Sequence, residues 1–180
     1  MLIEARRSAL LIVDMQERLM PAMDGAEAAT GNAARLMQAA GRLGVPLLVS
    51  EQYPKGLGRT VPAIAALAPT GGIAEKLSFS CLADPGWRAR FEKLDRRQAI
   101  LAGVEAHVCV LQTALALKQA GYEPAVVADA VASRRPDSRA AAFDRLRQNG
   151  VEVVTAEMVL FEWLGQAGTP EFKALSGLIR

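Results

Sequence analysis

Histidine is almost missing from this 180-residue chain: His107 is the only one. A lone imidazole cannot build a multi-histidine metal site, so none is expected and no cofactor is implied. Cysteine is nearly as scarce. Cys81 and Cys109 stand 28 positions apart, which is neither a disulfide framework nor a zinc spacing, and two free thiols fit a reducing cytoplasm. Long apolar runs are also lacking. SALLIV, residues 8–13, is ended by Asp14, shorter than the roughly 7–15 residues of a secretory core and far from the roughly 20 of a membrane span. Charge of one sign does not accumulate: the formal net charge is +2, and Arg6-Arg7, Arg96-Arg97 and Arg134-Arg135 are scattered among acids. No basic stripe points to nucleic acid and no anchor to a membrane. No linker, repeat or low-complexity stretch divides the chain, so residues 1–180 are expected to form one cytoplasmic domain.

The sequence does hold a regular alternation. Short runs rich in Val, Ile and Leu occur at 8–13, 45–50, 72–77, 97–104, 124–129 and 151–156. Several are apolar at consecutive positions, as strands covered on both faces are. Helical patterns fall between and after them, at about 26–43, 86–94, 108–120, 137–149, 157–166 and 170–179. Gly44, Gly121 and Gly150 each stand where a helix must stop before the next strand. Strand–helix alternation throughout predicts an α/β fold: a three-layer αβα sandwich on a six-stranded parallel sheet, in the order 3-2-1-4-5-6. The irregular stretch is 51–71, EQYPKGLGRTVPAIAALAPTG, whose prolines and glycines read as an ordered loop with one helical turn near 62–67. The segment VCVLQTALAL, 108–117, is apolar on nearly every face, which predicts burial in the core or in a subunit contact of a homo-oligomer.

In an open α/β sheet, ligands bind beyond the carboxyl ends of the strands. Three reactive groups stand there: Asp14 after strand 1, Lys76 ending strand 3, and Cys109 in the turn GVEAHVC after strand 4. Two readings of Cys109 stand open. It packs as a small hydrophobe, or it is a nucleophile whose pKa the helix N-terminus lowers. In the second reading Asp14 takes and returns the thiol proton, Lys76 supports the pair electrostatically, and backbone N–H groups of the turn 105–109 receive an oxyanion. Gln16, Gln52, Tyr53 and Phe79 are placed to line such a cleft, or simply pack. His107 and Cys81 read as structural, Cys81 as an inert neighbour of the pocket.

LLIVDMQERL, the Lys of GIAEKLSFS and LAGVEAHVCVLQTAL together resemble the isochorismatase-like cysteine hydrolases, the family of nicotinamidases and carbamoylsarcosine amidohydrolases. SEQYPKGLGRTVP followed by KLSFSC resembles the subgroup of isochorismatase domain-containing proteins. The resemblance implies an Asp14–Lys76–Cys109 triad and a cis peptide at Val104–Glu105 that aims the Glu105 and Cys109 amides at one point as the oxyanion hole. Two departures qualify it. Nicotinamidases carry a metal site of an acid and histidines after strand 2, where this chain has EQYPKGLG. Isochorismatases proper lack the nucleophilic cysteine. A metal-independent cysteine hydrolase of a small amide substrate is therefore the expectation, and a non-catalytic oligomeric partner protein retaining the fold is the alternative.

Overall fold

The computed structural model describes residues 1–178. Six parallel strands form one sheet: β1 (Ser8–Val13), β2 (Leu47–Gln52), β3 (Ile73–Lys76), β4 (Gln98–Val104), β5 (Glu123–Ala132) and β6 (Glu152–Val154). Their order is β3-β2-β1-β4-β5-β6, the doubly wound arrangement expected from the alternation. The helices are α1 (Ala26–Leu43), α2 (Pro54–Leu57), α3 (Pro62–Ala65), α4 (Pro85–Glu92), α5 (Leu111–Gln119), α6 (Pro136–Gln148), α7 (Ala156–Leu164) and α8 (Pro170–Leu175).

Alternation along each strand divides the core into two. Leu10 and Ile12 of β1 pack with α1 and α7, through Leu36, Met37, Val159 and Trp163. Leu11 and Val13 face the opposite side, where Trp87, Phe91, Leu111, Leu117 and Leu146 cover them. All six residues of β1 and all seven of β4 are buried, which is why both read as unbroken apolar runs. Gly44 ends α1 with φ at 68° and donates to the Ala40 carbonyl, as the stop signal required.

Several boundaries differ from the sequence reading, each for a local reason. The stretch 51–71 contains two single helical turns, α2 and α3, each started by a proline whose φ is preset for a first turn. Strand β5 runs on to Ala132, past the expected 129, because its pairing shifts between Leu101 and Gly103 of β4 and resumes at Val131 and Ala132. The final helix stops at Leu175 and tightens into a 3-10 turn over Ser176–Leu178; position 179 of the expected span lies outside the described residues. Helix α5 is not buried all round: Leu111, Thr113, Ala114 and Leu117 are, while Gln112 and Lys118 are exposed.

Gly103 decides how closely the two central strands approach at the end that carries the reactive groups. It pairs with Val13, the residue before Asp14. Its φ is 123°, and a Cβ built there would lie 2.1 Å from the Val13 carbonyl oxygen, against backbone that cannot move aside. Gly103→Ala is therefore expected to destabilise the fold by about 3 kcal/mol or more. Urea unfolding of the variant checks this, and a loss under about 1 kcal/mol would contradict the close approach.

Candidate active site

Asp14, Lys76 and Cys109, separated by up to 95 residues, converge at the carboxyl edge of β1, β3 and β4. Asp14 is the first residue beyond β1. Its φ of 52° is unusual for a residue with a side chain, although Asp tolerates that region better than most. The turn ends the strand while the Asp14 N–H still donates to the Ser50 carbonyl, 3.1 Å away. Lys76 reaches the same point from the edge strand because it shares the buried face of β3 with Ala74.

The Lys76 Nζ donates to Asp14 Oδ2 at 2.7 Å, and both side chains are fully buried. Strand β2 lies between their strands and supplies two bridges from alternate positions on one face. Ser50 Oγ donates to Asp14 Oδ1 at 2.7 Å, and Gln52 Oε1 accepts from Lys76 Nζ at 2.7 Å. The carbonyls of Ser78 and Phe79 complete the ammonium's surroundings at 3.2 and 3.3 Å. Burial pushes the Asp14 carboxyl up, against the pull of Lys76 and Ser50. Burial works against the Lys76 ammonium, but the Asp14 charge prevails and its pKa is raised.

Cys109 stands in a π turn, Ala106–Val110, that opens α5. The Val104–Glu105 peptide just before it is cis. The Glu105 carbonyl accepts from Val108 and Val110 N–H at 3.1 and 3.2 Å, and the Cys109 N–H between them is not among its donors. Arg134 secures this turn. Its backbone N–H and its Nε donate to the Glu105 carboxylate at 2.9 and 3.1 Å. A helix N-terminus favours a thiolate, yet here burial raises the Cys109 thiol pKa, the adjacent Asp14 charge raises it further, and Lys76 only partly opposes them. The direction is upward, opposite to the lowering expected of a helix N-terminus.

The other expected residues divide. Gln52 and Phe79 line a cavity of about 100 Å³ above Cys109. Tyr53, half exposed, lines a neighbouring depression with Lys55, Leu77 and Asp84. Gln16 is fully buried, away from the cavity, and its amide is spent on the chain: Nε2 donates to the Gln52 and Gly58 carbonyls and Oε1 accepts from the Gln52 N–H. It anchors the segment after β2. His107 Nδ1 is 3.0 Å from Ser133 Oγ, a structural contact. Cys81 is fully buried, its Sγ 3.7 Å from Ser50 Oγ, and burial pushes its pKa up to about 11. Sequence reasoning missed Ser50 and Arg134. Ser50 opens the SEQYPKGLGRTVP stretch and Arg134 belongs to an arginine pair, yet neither pattern marks a role, which each acquires through pairing across the sheet edge. Among the described residues no three His, Cys, Asp or Glu side chains gather as metal ligands.

A family model described as the isochorismatase domain matches residues 8–158. The chain belongs to the isochorismatase-like hydrolase family. It is 40% identical over 179 residues to isochorismatase domain-containing protein 2 of Danio rerio, covering 98% of this chain and 89% of that one. The structure described as MAR1 ribonuclease from Caenorhabditis elegans superposes with a TM-score of 0.93 at 36% identity, over 99% of this chain and 92% of that chain. The Escherichia coli YcaC product, described as an octameric hydrolase of unknown specificity, shares the fold with a TM-score of 0.92 at 22% identity, over 98% and 90% of the two chains. Among the described residues no helix is long and apolar enough to cross a membrane.

Removing one partner of the buried pair leaves the other charge unopposed. Lys76→Met is expected to cost about 3–5 kcal/mol, and Lys76→Met with Asp14→Asn to recover most of it. Thermal or urea unfolding of Lys76→Met, Asp14→Asn and the double variant checks this. A double-variant loss equal to the sum of the two single losses would show that the pair is not coupled.

Proposed function

We propose that this chain is a metal-independent cysteine hydrolase that cleaves a small amide through a thioester intermediate. The observation that carries the reading is the Cys109 thiol set between a buried, Lys76-paired carboxylate and a small cavity. Asp14 takes the thiol proton as Sγ attacks the amide carbon, and the oxyanion forms toward the Glu105 and Cys109 N–H groups. Asp14, now protonated, gives that proton to the leaving nitrogen, and the C–N bond breaks. An amine departs and the acyl group stays on sulfur. Asp14 then takes a proton from water attacking the thioester and returns it to the departing Sγ, releasing the acid. Lys76 keeps one charge of opposite sign beside Asp14 throughout and fixes its orientation.

The raised thiol pKa suits this order. A neutral thiol beside a carboxylate holds its proton until substrate arrives, and proton transfer then accompanies attack. The name of the nematode protein raises RNA as a substrate. A cavity of about 100 Å³ beside the thiol favours a much smaller group. The alternative of a non-catalytic partner protein gives no role to a thiol, a carboxylate and an ammonium gathered at one cavity. We also read the chain as a homo-oligomer. Leu77 and Phe79, 72% and 55% exposed beside the site, support that, as does the assembly in the E. coli protein's description.

Two measurements test the chemistry. Asp14 raises the Cys109 pKa, so its neutral replacement must lower it while Lys76 remains. In Asp14→Asn, iodoacetamide labelling of Cys109, followed by mass spectrometry over a pH series, is expected to begin at lower pH than in wild type. Amide hydrolysis by the same variant is expected to fall by about 10²–10⁴, and Cys109→Ala to abolish it. An Asp14→Asn enzyme that hydrolyses amides at the wild-type rate would remove Asp14 from the proton path. Light scattering is expected to report more than one chain's mass.

A further inference from the structure

We infer that the acyl half of the substrate is a short, uncharged aliphatic chain; this deepens the hydrolase reading and rests on it. The cavity that opens onto Cys109 has a volume of about 100 Å³. A closed cavity of about 150 Å³ holds a benzene ring in a protein interior; the space here is smaller and partly open to solvent, so it favours a chain of about four carbons over an aromatic ring. Its lining is chiefly apolar, from Leu19, Leu57, Phe79, Val104 and Val108, drawn from four separate segments.

The charges around it are already committed. Lys76 is spent on Asp14, with neither side chain exposed. The Glu105 carboxylate, also at the lining, takes the backbone N–H and the Nε of Arg134. A carboxylate or ammonium on the acyl chain would leave water without gaining a free partner, and burying an unpaired charge is strongly unfavourable. Gln52 is the remaining polar group. Its Oε1 is taken by Lys76 and one Nε2 hydrogen by the Leu77 carbonyl at 2.7 Å, which leaves a single N–H for a neutral acceptor. Size and charge therefore select against different substrates, and because the acyl group stays bonded to sulfur in the thioester, the space beside the sulfur is assigned to the acyl side.

The test uses full-length wild-type protein in two arms. In the first, kcat/KM is measured for acetamide, propionamide, butyramide, benzamide, nicotinamide and succinamic acid. It is expected to rise about fourfold per methylene through butyramide. Benzamide, nicotinamide and succinamic acid are expected to lie at least about 100-fold below butyramide. Leu57→Ala, which enlarges the cavity, is expected to narrow the benzamide gap about tenfold or more and to leave the succinamic acid gap in place. In the second arm, 2-bromobutanamide and 2-bromo-2-phenylacetamide label Cys109, each rate normalised to its rate with glutathione. The butanamide reagent is expected to be favoured at least about 30-fold.

The second arm needs a reactive thiol and no turnover, so it separates the two ideas. Strong size discrimination without hydrolysis of any amide would sink the hydrolase reading and with it the acyl assignment, leaving only the cavity's selection for a short aliphatic group. Equal labelling by both reagents, or benzamide or succinamic acid turned over as fast as butyramide, would overturn the inference.

Discussion

The site depends on one buried ion pair. Asp14 and Lys76 meet at 2.7 Å with neither side chain exposed, although their strands β1 and β3 are not neighbours. Taking both charges out of water costs several kcal/mol each, and an apolar pair of equal volume would be as stable or more so. Stability alone does not account for the pair. What it supplies is a carboxyl group held in a fixed orientation beside an ammonium, away from solvent. Strand β2 makes the arrangement rigid: Ser50 and Gln52, two positions apart on one face, fix the carboxylate and the ammonium respectively.

That charge distribution governs the thiol. A cysteine opening a helix is usually read as an activated thiolate, because the helix terminus and a nearby cation both favour negative charge. Here burial and the Asp14 charge both favour the protonated form, so the thiol pKa is raised. The same proximity that suppresses the thiolate puts a proton acceptor beside it. The hydrolase reading thus turns on proton transfer within a dry triad and not on a free thiolate waiting in solvent.

The surroundings hold this geometry from both sides. Toward the core, Gly103 allows β4 to lie against Val13, and so sets Asp14 and the turn carrying Cys109 side by side. Toward solvent, the segment after β2 is tied down by buried polar groups. Gln16 binds the carbonyls of Gln52 and Gly58, and the Glu51 carboxylate accepts from the Thr60 N–H at 2.7 Å and from Arg59. Burial works against the charged form of Glu51, yet the Thr60 N–H and Arg59 outweigh it and its pKa is lowered. Prolines and glycines marked that stretch as loop. Its order comes from two buried side chains, Gln16 and Glu51, whose hydrogen bonds to the loop no local pattern reveals.

By itself the sequence determined the succession of elements. Unbroken apolar runs such as SALLIV and QAILAGV read as strands covered on both faces, and glycine stops such as Gly44 as helix ends, because these signals act through neighbouring residues. Strand ends likewise located Asp14, Lys76 and Cys109 at one edge of the sheet. The tertiary structure alone decided what those residues are to one another. It set the partnership of Ser50 with Asp14, the grip of Arg134 on Glu105, the withdrawal of Gln16 from the cavity and the rise of the thiol pKa. Each follows from distance and burial across strands far apart in sequence. Electrostatic energy depends on those two quantities, and residue order carries neither.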